Sequence, residues 1–141
     1  MSIQAIKAVE VGEGVRVSEL FGSQLHDPIY HSRARGFYRK SCRAGGIEGG
    51  ISVGGPVIVR IHMKPLSTLR KPMMSVDILS KKPFQATVER SDVSAVPAAG
   101  VVGEAVVAFE LARALLEKFG GDSLEEMKRN FKGYLRQLSA F

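Results

Sequence analysis

Residues 56–63 read PVIVRIHM, with Val57, Val59 and Ile61 on one side of an extended chain and Ile58, Arg60 and His62 on the other. A period of two carried by β-branched residues predicts a strand. Lys64-Pro65 ends it, because proline has no N–H to give to a ladder. Downstream, Met74 to Leu79 and Phe84 to Arg90 read as two more strands joined through Ser80-Lys81-Lys82-Pro83. Upstream, residues 1–11 alternate loosely and run into Gly12-Glu13-Gly14, a strand and a turn. Val17 to Leu25 is expected as a short helix capped by Ser18, and residues 26–43 as a polar, basic loop followed by a short strand. Residues 44–55, AGGIEGGISVGG, place glycine pairs at 45–46, 49–50 and 54–55, which permit positive φ and close backbone approach.

After Pro97 the period changes. Val101, Ala105, Ala108, Phe109, Ala112, Leu115, Leu116 and Phe119 recur at helical spacing, with Pro97 in the first turn and Gly120 as a left-handed stop. Ser123 and Glu126 form a capping box for a second helix with Leu124, Met127, Phe131, Leu135 and Leu138 on one face. Strands followed by helices make the fold α+β.

A chain of 141 residues at 45% hydrophobic content suits one domain that buries roughly 68% of its unfolded surface. The single cysteine, Cys42, excludes a disulfide framework, and His26, His31 and His62 are too scattered for a metal site, so none is expected. No export signal or membrane span is expected, because Glu104, Glu110 and Arg113 interrupt the longest apolar region; the expected location is cytoplasmic. The formal charge of +6 is concentrated in one window: residues 31–71 hold nine basic residues against Glu48 alone. That excess points to an anionic partner, whether nucleic acid or a phosphorylated small molecule.

Within that window Lys64-Pro65-Leu66-Ser67-Thr68 puts a lysine, two hydroxyls and free backbone N–H groups on one turn, which is suitable equipment for a phosphate. The glycine run is no P-loop, since it lacks Gly-Lys-Ser/Thr and precedes a strand. Arg90-Ser91-Asp92 sets a cation and a carboxylate between the last strand and the long helix.

Taken in order, these pieces resemble the C-terminal part of the chorismate synthase family. Ser2 to Gly12 (SIQAIKAVEVG) resembles the family's S-I-x-A-[VI]-K-G-V-E-[IV]-G segment, and Arg43 to Ser52 (RAGGIEGGIS) its glycine-rich run. Lys64 to Thr68 is similar to its K-P-x-[SP]-[ST] turn, and Arg90-Ser91-Asp92-Val93-Ser94, spaced to Glu104, to its R-[SHF]-D block. Gly22 to Asp27 departs from G-S-x-H-N-D, with Leu25 for His and His26 for Asn; Cys42 and Val53 also stand at positions where the family commonly differs.

The resemblance implies a β-α-β sandwich of which residues 1–141 form the C-terminal half, one part of a single larger domain. It implies 1,4-elimination of phosphate from 5-enolpyruvylshikimate 3-phosphate to give chorismate, with reduced FMN as cofactor and a homotetrameric assembly of the intact member. By matching position it assigns flavin contacts to Gln4, Ala5, Gly49, Lys64, Pro65, Leu66, Ser67, Thr68 and Arg90, and a catalytic role near the flavin edge to Asp92. The family's N-terminal motifs, including its catalytic histidines, do not occur here. The chain is therefore expected to be a fragment begun at an internal methionine and inactive alone. A nucleic-acid-binding module using residues 31–71 with Tyr30, Phe37 and Tyr38, and a non-catalytic flavin-binding remnant, are the alternatives.

Overall fold

The computed structural model describes residues 1–89 and 93–140. Its elements are β1 (Ile6–Val11), a 3₁₀ turn (Gly14–Glu19), α1 (Gly22–Leu25), β2 (Ile29–Ser32), β3 (Gly36–Arg39), β4 (Ile47–Glu48), β5 (Ile51–Ser52), β6 (Val59–Met63), β7 (Met74–Val76), β8 (Pro83–Gln85), α2 (Val96–Phe119) and α3 (Leu124–Ser139). The strands pair as β1–β6, β2–β3, β4–β5 and β7–β8, the last three antiparallel. Strands followed by two helices form the expected α+β arrangement. The backbone divides into two compact units, Met1–Ala8 with Ile61–Gly103, and Val9–Arg60 with Glu104–Phe141.

In the first unit Ile6, 5% exposed, is the one buried large apolar side chain among the described residues. Along β6 the half-buried and exposed positions alternate as its sequence predicts, and Ile61 meets α2 at Gly103, where a Cβ would stand 3.1 Å from Ile61 Cδ1. The β7–β8 hairpin is shorter than its sequence suggests. The Asp77 carboxylate takes the Ser80 N–H at 2.6 Å and the Asp77 carbonyl takes the Lys81 N–H at 2.9 Å, so the turn begins at Asp77 instead of Ser80. Pro83 then opens β8 at a position where no donor is needed.

In the second unit the helix expected over Val17–Leu25 is replaced by a 3₁₀ turn, a break at Leu20 and the single turn α1. The Glu10 carboxylate accepts the Val15 N–H at 3.2 Å, in the first turn of an element that starts at Gly14, three residues before Val17. Ser18 does not cap: its hydroxyl donates to the Val15 carbonyl at 2.9 Å. The segment expected as a loop and one strand is a full hairpin, β2–β3, in which Tyr30 faces Tyr38 and His31 faces Phe37. Between the helices the left-handed residue is Gly121 (φ 154°), not Gly120. Asn130 donates to the carbonyls of Phe119 and Gly120 at 3.1 and 3.0 Å and so satisfies the end of α2. Ser123 accepts the Glu126 N–H at 3.1 Å as its motif predicts, while the Glu126 carboxylate reaches the Asp122 N–H instead of that of Ser123.

The burial expected of a 141-residue domain is not there. The accessible surface is 11754 Å², against about 7100 Å² for a folded monomer of this mass. Ile6, Gly12, Asp27, Gly45, Gly46 and Gly103 are the buried residues among those described, and four of the six are glycines. The α2 stripe from Val101 to Leu116, predicted to face a core, is exposed throughout; only Phe119, packed at 5.3 Å on both Phe131 and Tyr134, is half-covered.

Candidate functional site

Two of the sequence-nominated blocks meet in the first unit. The Lys64 N–H donates to the Ala5 carbonyl at 2.8 Å, so the turn Lys64–Thr68 leaves its strand beside Gln4 and Ala5. Ala5 has φ 65°, a left-handed conformation that costs a side-chain-bearing residue roughly 1–2 kcal/mol. Ile6, the best-buried side chain, follows at once and anchors that backbone. Lys81, in the β7–β8 turn, has the same conformation (φ 59°), so what distinguishes Ala5 is its bond to the Lys64 turn.

The turn opens on a cleft of about 550 Å³ whose walls include Lys64, Pro65, Leu66 and Leu69 on one side and Ser94 and Val96, at the start of α2, on the other. The Lys64 ammonium has no ion-pair partner among the described residues, Ser67 is exposed, and Thr68 is half-buried. The N-terminal end of a 24-residue helix adds its positive dipole end to the same cleft. A cation, the Ser94 hydroxyl and a helix N-terminus, with leucine and proline in the lining, suit an amphiphilic anion that has a phosphate at one end and an apolar body at the other, while Ser67 and Thr68 lie outside the lining. The residues present therefore fit FMN.

The glycine run lies in the second unit and divides into two functions. Gly45 and Gly46 are buried at positive φ (74° and 84°): a Cβ on Gly45 would overlap the Gly12 backbone, and one on Gly46 the Pro56 carbonyl. Gly49 and Gly50, at φ 56° and 78°, form the two-residue turn of the β4–β5 hairpin, the torsions of a type I′ connection. Around them no atom lies within 4 Å of where a Cβ would stand. The first pair makes backbone meet backbone, and the second presents bare backbone at the surface.

Asp27 is the residue the sequence did not single out as a site. It is 8% exposed, and its two carboxylate oxygens accept the Arg43 and Ala44 N–H groups at 3.0 Å each. Burial pushes its pKa up, but hydrogen bonds from the Ser41 side chain and from the Ala44 and Arg43 N–H groups, with the Arg43 charge, outweigh this and hold it below the ordinary value of 3.8. A depressed native pKa makes Asp27 stabilising above pH 3.8, an effect lost as pH falls through the lower native value. Urea midpoints of the wild type should therefore drop between pH 5 and pH 2 more steeply than those of Asp27→Asn. Equal slopes would mean that the carboxylate contributes nothing.

The aromatic groups of the β2–β3 hairpin are already engaged. Tyr30 and Tyr38 stack at 5.8 Å, Lys40 sits 4.4 Å over Tyr30 and Arg35 5.3 Å over Tyr38. The third aromatic group of the nucleic-acid reading, Phe37, lies 4.9 Å from the His31 ring and is 69% exposed.

Of the nominated residues, Gln4, Ala5 and Lys64 to Thr68 come together in the first unit, and Gly49 stands on an open turn of the second. Arg90 and Asp92 lie outside the described residues. Of the neighbours added by the structure, Ser94 closes the Arg90–Ser94 block read in the sequence, and Val96 carried no signal there beyond its place at a helix start.

The family model for chorismate synthase matches residues 1–116. A chorismate synthase of Geobacter sulfurreducens is 60% identical over 148 residues, covering 100% of this chain and 38% of the relative. That of Desulforudis audaxviator is 58% identical over 140 residues, covering 99% and 36%, and that of Desulforamulus reducens 66% identical over 128 residues, covering 91% and 33%. A crystal structure of chorismate synthase superposes with a TM-score of 0.79 at 45% identity, covering 100% of this chain and 35% of that one. The chain thus spans less than two-fifths of the length of these relatives.

Proposed function

The chain belongs to the chorismate synthase family, and from that premise we propose that it supplies the flavin-binding part of an enzyme that eliminates phosphate from 5-enolpyruvylshikimate 3-phosphate to give chorismate. The observation that carries the reading is the Lys64–Ala5 hydrogen bond, which joins two separate family-like blocks, one of which lines a cleft of suitable chemistry. Lys64, Ser67 and Thr68 hold the phosphate of reduced FMN, the Leu66 side chain packs beside its body, and the Gln4–Ala5 backbone orients it. The family resemblance also assigns flavin contacts to Gly49, whose turn bears no side chain, and to Arg90, a further cation.

Bound reduced flavin supplies electron density that eases departure of the substrate phosphate and is recovered without net redox change. The cations of this chain stabilise the negative charge that accumulates as that phosphate leaves. Asp92 holds or accepts a proton near the flavin edge. The completed enzyme works as a cytoplasmic homotetramer on a small-molecule substrate, and this chain by itself is inactive.

The test is a chimera in which this full chain replaces the matching segment of the Geobacter sulfurreducens relative. Anaerobic assay with reduced FMN should give chorismate from the chimera and none from the chain alone. A folded chimera that binds the substrate but forms no chorismate would favour a non-catalytic remnant.

A further inference from the structure

We propose that Asp27 is a positioning residue for flavin binding: its buried carboxylate sets the backbone from which the glycine-rich run presents Gly49. The proposal rests on the flavin reading above and assigns a role to a residue that touches no ligand.

The argument follows hydrogen bonds within the second unit. Asp27 holds the Arg43 and Ala44 N–H groups from sixteen and seventeen residues away, both at 3.0 Å. On the other side of the same peptide units, the Arg43 carbonyl accepts the Glu13 N–H at 2.8 Å. Residues 43–44 are thereby gripped from both edges. The next two residues, Gly45 and Gly46, are pressed against Gly12 and Pro56 so closely that neither has room for a Cβ. The Gly45 carbonyl accepts the Ile58 N–H at 2.9 Å and the Gly46 carbonyl the Val53 N–H at 3.0 Å. The Gly46–Val53 bond is the foot of the β4–β5 hairpin, and Gly49-Gly50 is its tip. The tip has no packing of its own, with no atom near either glycine's missing Cβ, so its direction is inherited from the foot. The two bonds that Asp27 accepts are the side-chain grip on that foot, beside the backbone bonds from Glu13 and Ile58.

A carboxylate is the side chain this arrangement requires. Two converging N–H donors need two acceptor oxygens, and an amide offers only one, turning its NH₂ toward the second donor. Asp27 is also the one buried charged residue among those described, in a protein with almost no apolar core. Burial of that kind is sustained by satisfied hydrogen bonds, and here both oxygens have them.

The test titrates FMN into the chimera carrying this full chain and compares Asp27→Ala and Asp27→Asn with the unsubstituted protein, alongside Phe131→Ala. Phe131 packs on Phe119 in the same unit, so its loss weakens the unit without touching residues 43–46. Asp27→Ala is expected to weaken FMN binding roughly tenfold, and Asp27→Asn, which keeps one acceptor, by about threefold. Phe131→Ala should lower the urea midpoint but leave the FMN dissociation constant unmoved. Faster amide exchange at Arg43 and Ala44 in Asp27→Asn checks that the grip was lost even if the alanine variant does not fold. Unchanged FMN affinity in both Asp27 variants would overturn the proposal, as would a Phe131→Ala loss as large as that of Asp27→Ala. A folded, unsubstituted chimera that binds no FMN would overturn the flavin reading itself, a result visible before Asp27 is altered.

Discussion

Gly46→Ala is expected to destabilise the second unit by roughly 2–5 kcal/mol, whereas Gly49→Ala, three residues along the same run, should cost only about 1–2 kcal/mol. Both glycines have positive φ, 84° and 56°, so both variants carry the left-handed penalty of a side-chain-bearing residue. The difference lies in what the new methyl meets. At Gly46 it would overlap the Pro56 carbonyl and crowd Val57, which are backbone atoms of the segment leading into β6 and cannot rotate away. At Gly49 it meets nothing within 4 Å. Because the chain buries so little apolar surface, a loss of this size is a large share of its stability. Urea midpoints of the two variants decide the matter. Equal shifts would show that the close approach of residues 46 and 56 is not a feature of the folded protein. Flavin binding should order them differently if the Gly49 tip faces FMN: the Gly49 methyl would weaken binding out of proportion to its small cost in stability.

The elements legible in the sequence are those whose partners lie nearby. The alternation in PVIVRIHM reappears as the burial pattern of β6, and Ser123 caps α3 three residues from Glu126, because both signals are local. Misread segments are those that answer to distant groups. Val17–Leu25 has helical residues, yet Glu10 holds the Val15 N–H in a turn that starts at Gly14. Residues 26–43 look like a loop because their stability as a hairpin comes from cross-strand pairs such as Tyr30–Tyr38, which no window of period two displays. Asp27 keeps the Asp that closes the G-S-x-H-N-D stretch, but its role as an anchor is not legible there, since its donors lie sixteen and seventeen residues ahead. The candidate site was legible through family-like blocks, and the structure adds what joins two of them, the Lys64–Ala5 bond and the α2 end of the cleft. For α2 the apolar stripe was found correctly but its cover was not, because nothing in a periodicity says which chain supplies the other face.

That uncovered stripe leads to the second large effect. Phe109→Asp is expected to leave the stability of this chain within about 0.5 kcal/mol, and to reduce chorismate formation by the chimera at least a hundredfold. Phe109 is 66% exposed, so an aspartate there is a surface substitution in the chain alone. On α2 the buried Gly103 points toward Ile61 of β6, while Val101, Ala105, Phe109, Ala112 and Leu116 lie on the opposite side of the helix. An apolar helix face belongs against a second surface, and among the described residues nothing buries these five positions. The accessible surface exceeds that of a monomer of this mass by roughly 4600 Å², several times the ~800 Å² that a standard interface takes from one partner. The relatives are more than twice as long, and their additional chain is the proposed occupant of the stripe. A carboxylate at its centre would then be buried without a partner, a cost of several kcal/mol. Phe109→Leu, which keeps the face apolar, should restore activity. If Phe109→Asp unfolds the isolated chain, the stripe is covered from within; if the chimera tolerates it, the additional chain packs elsewhere.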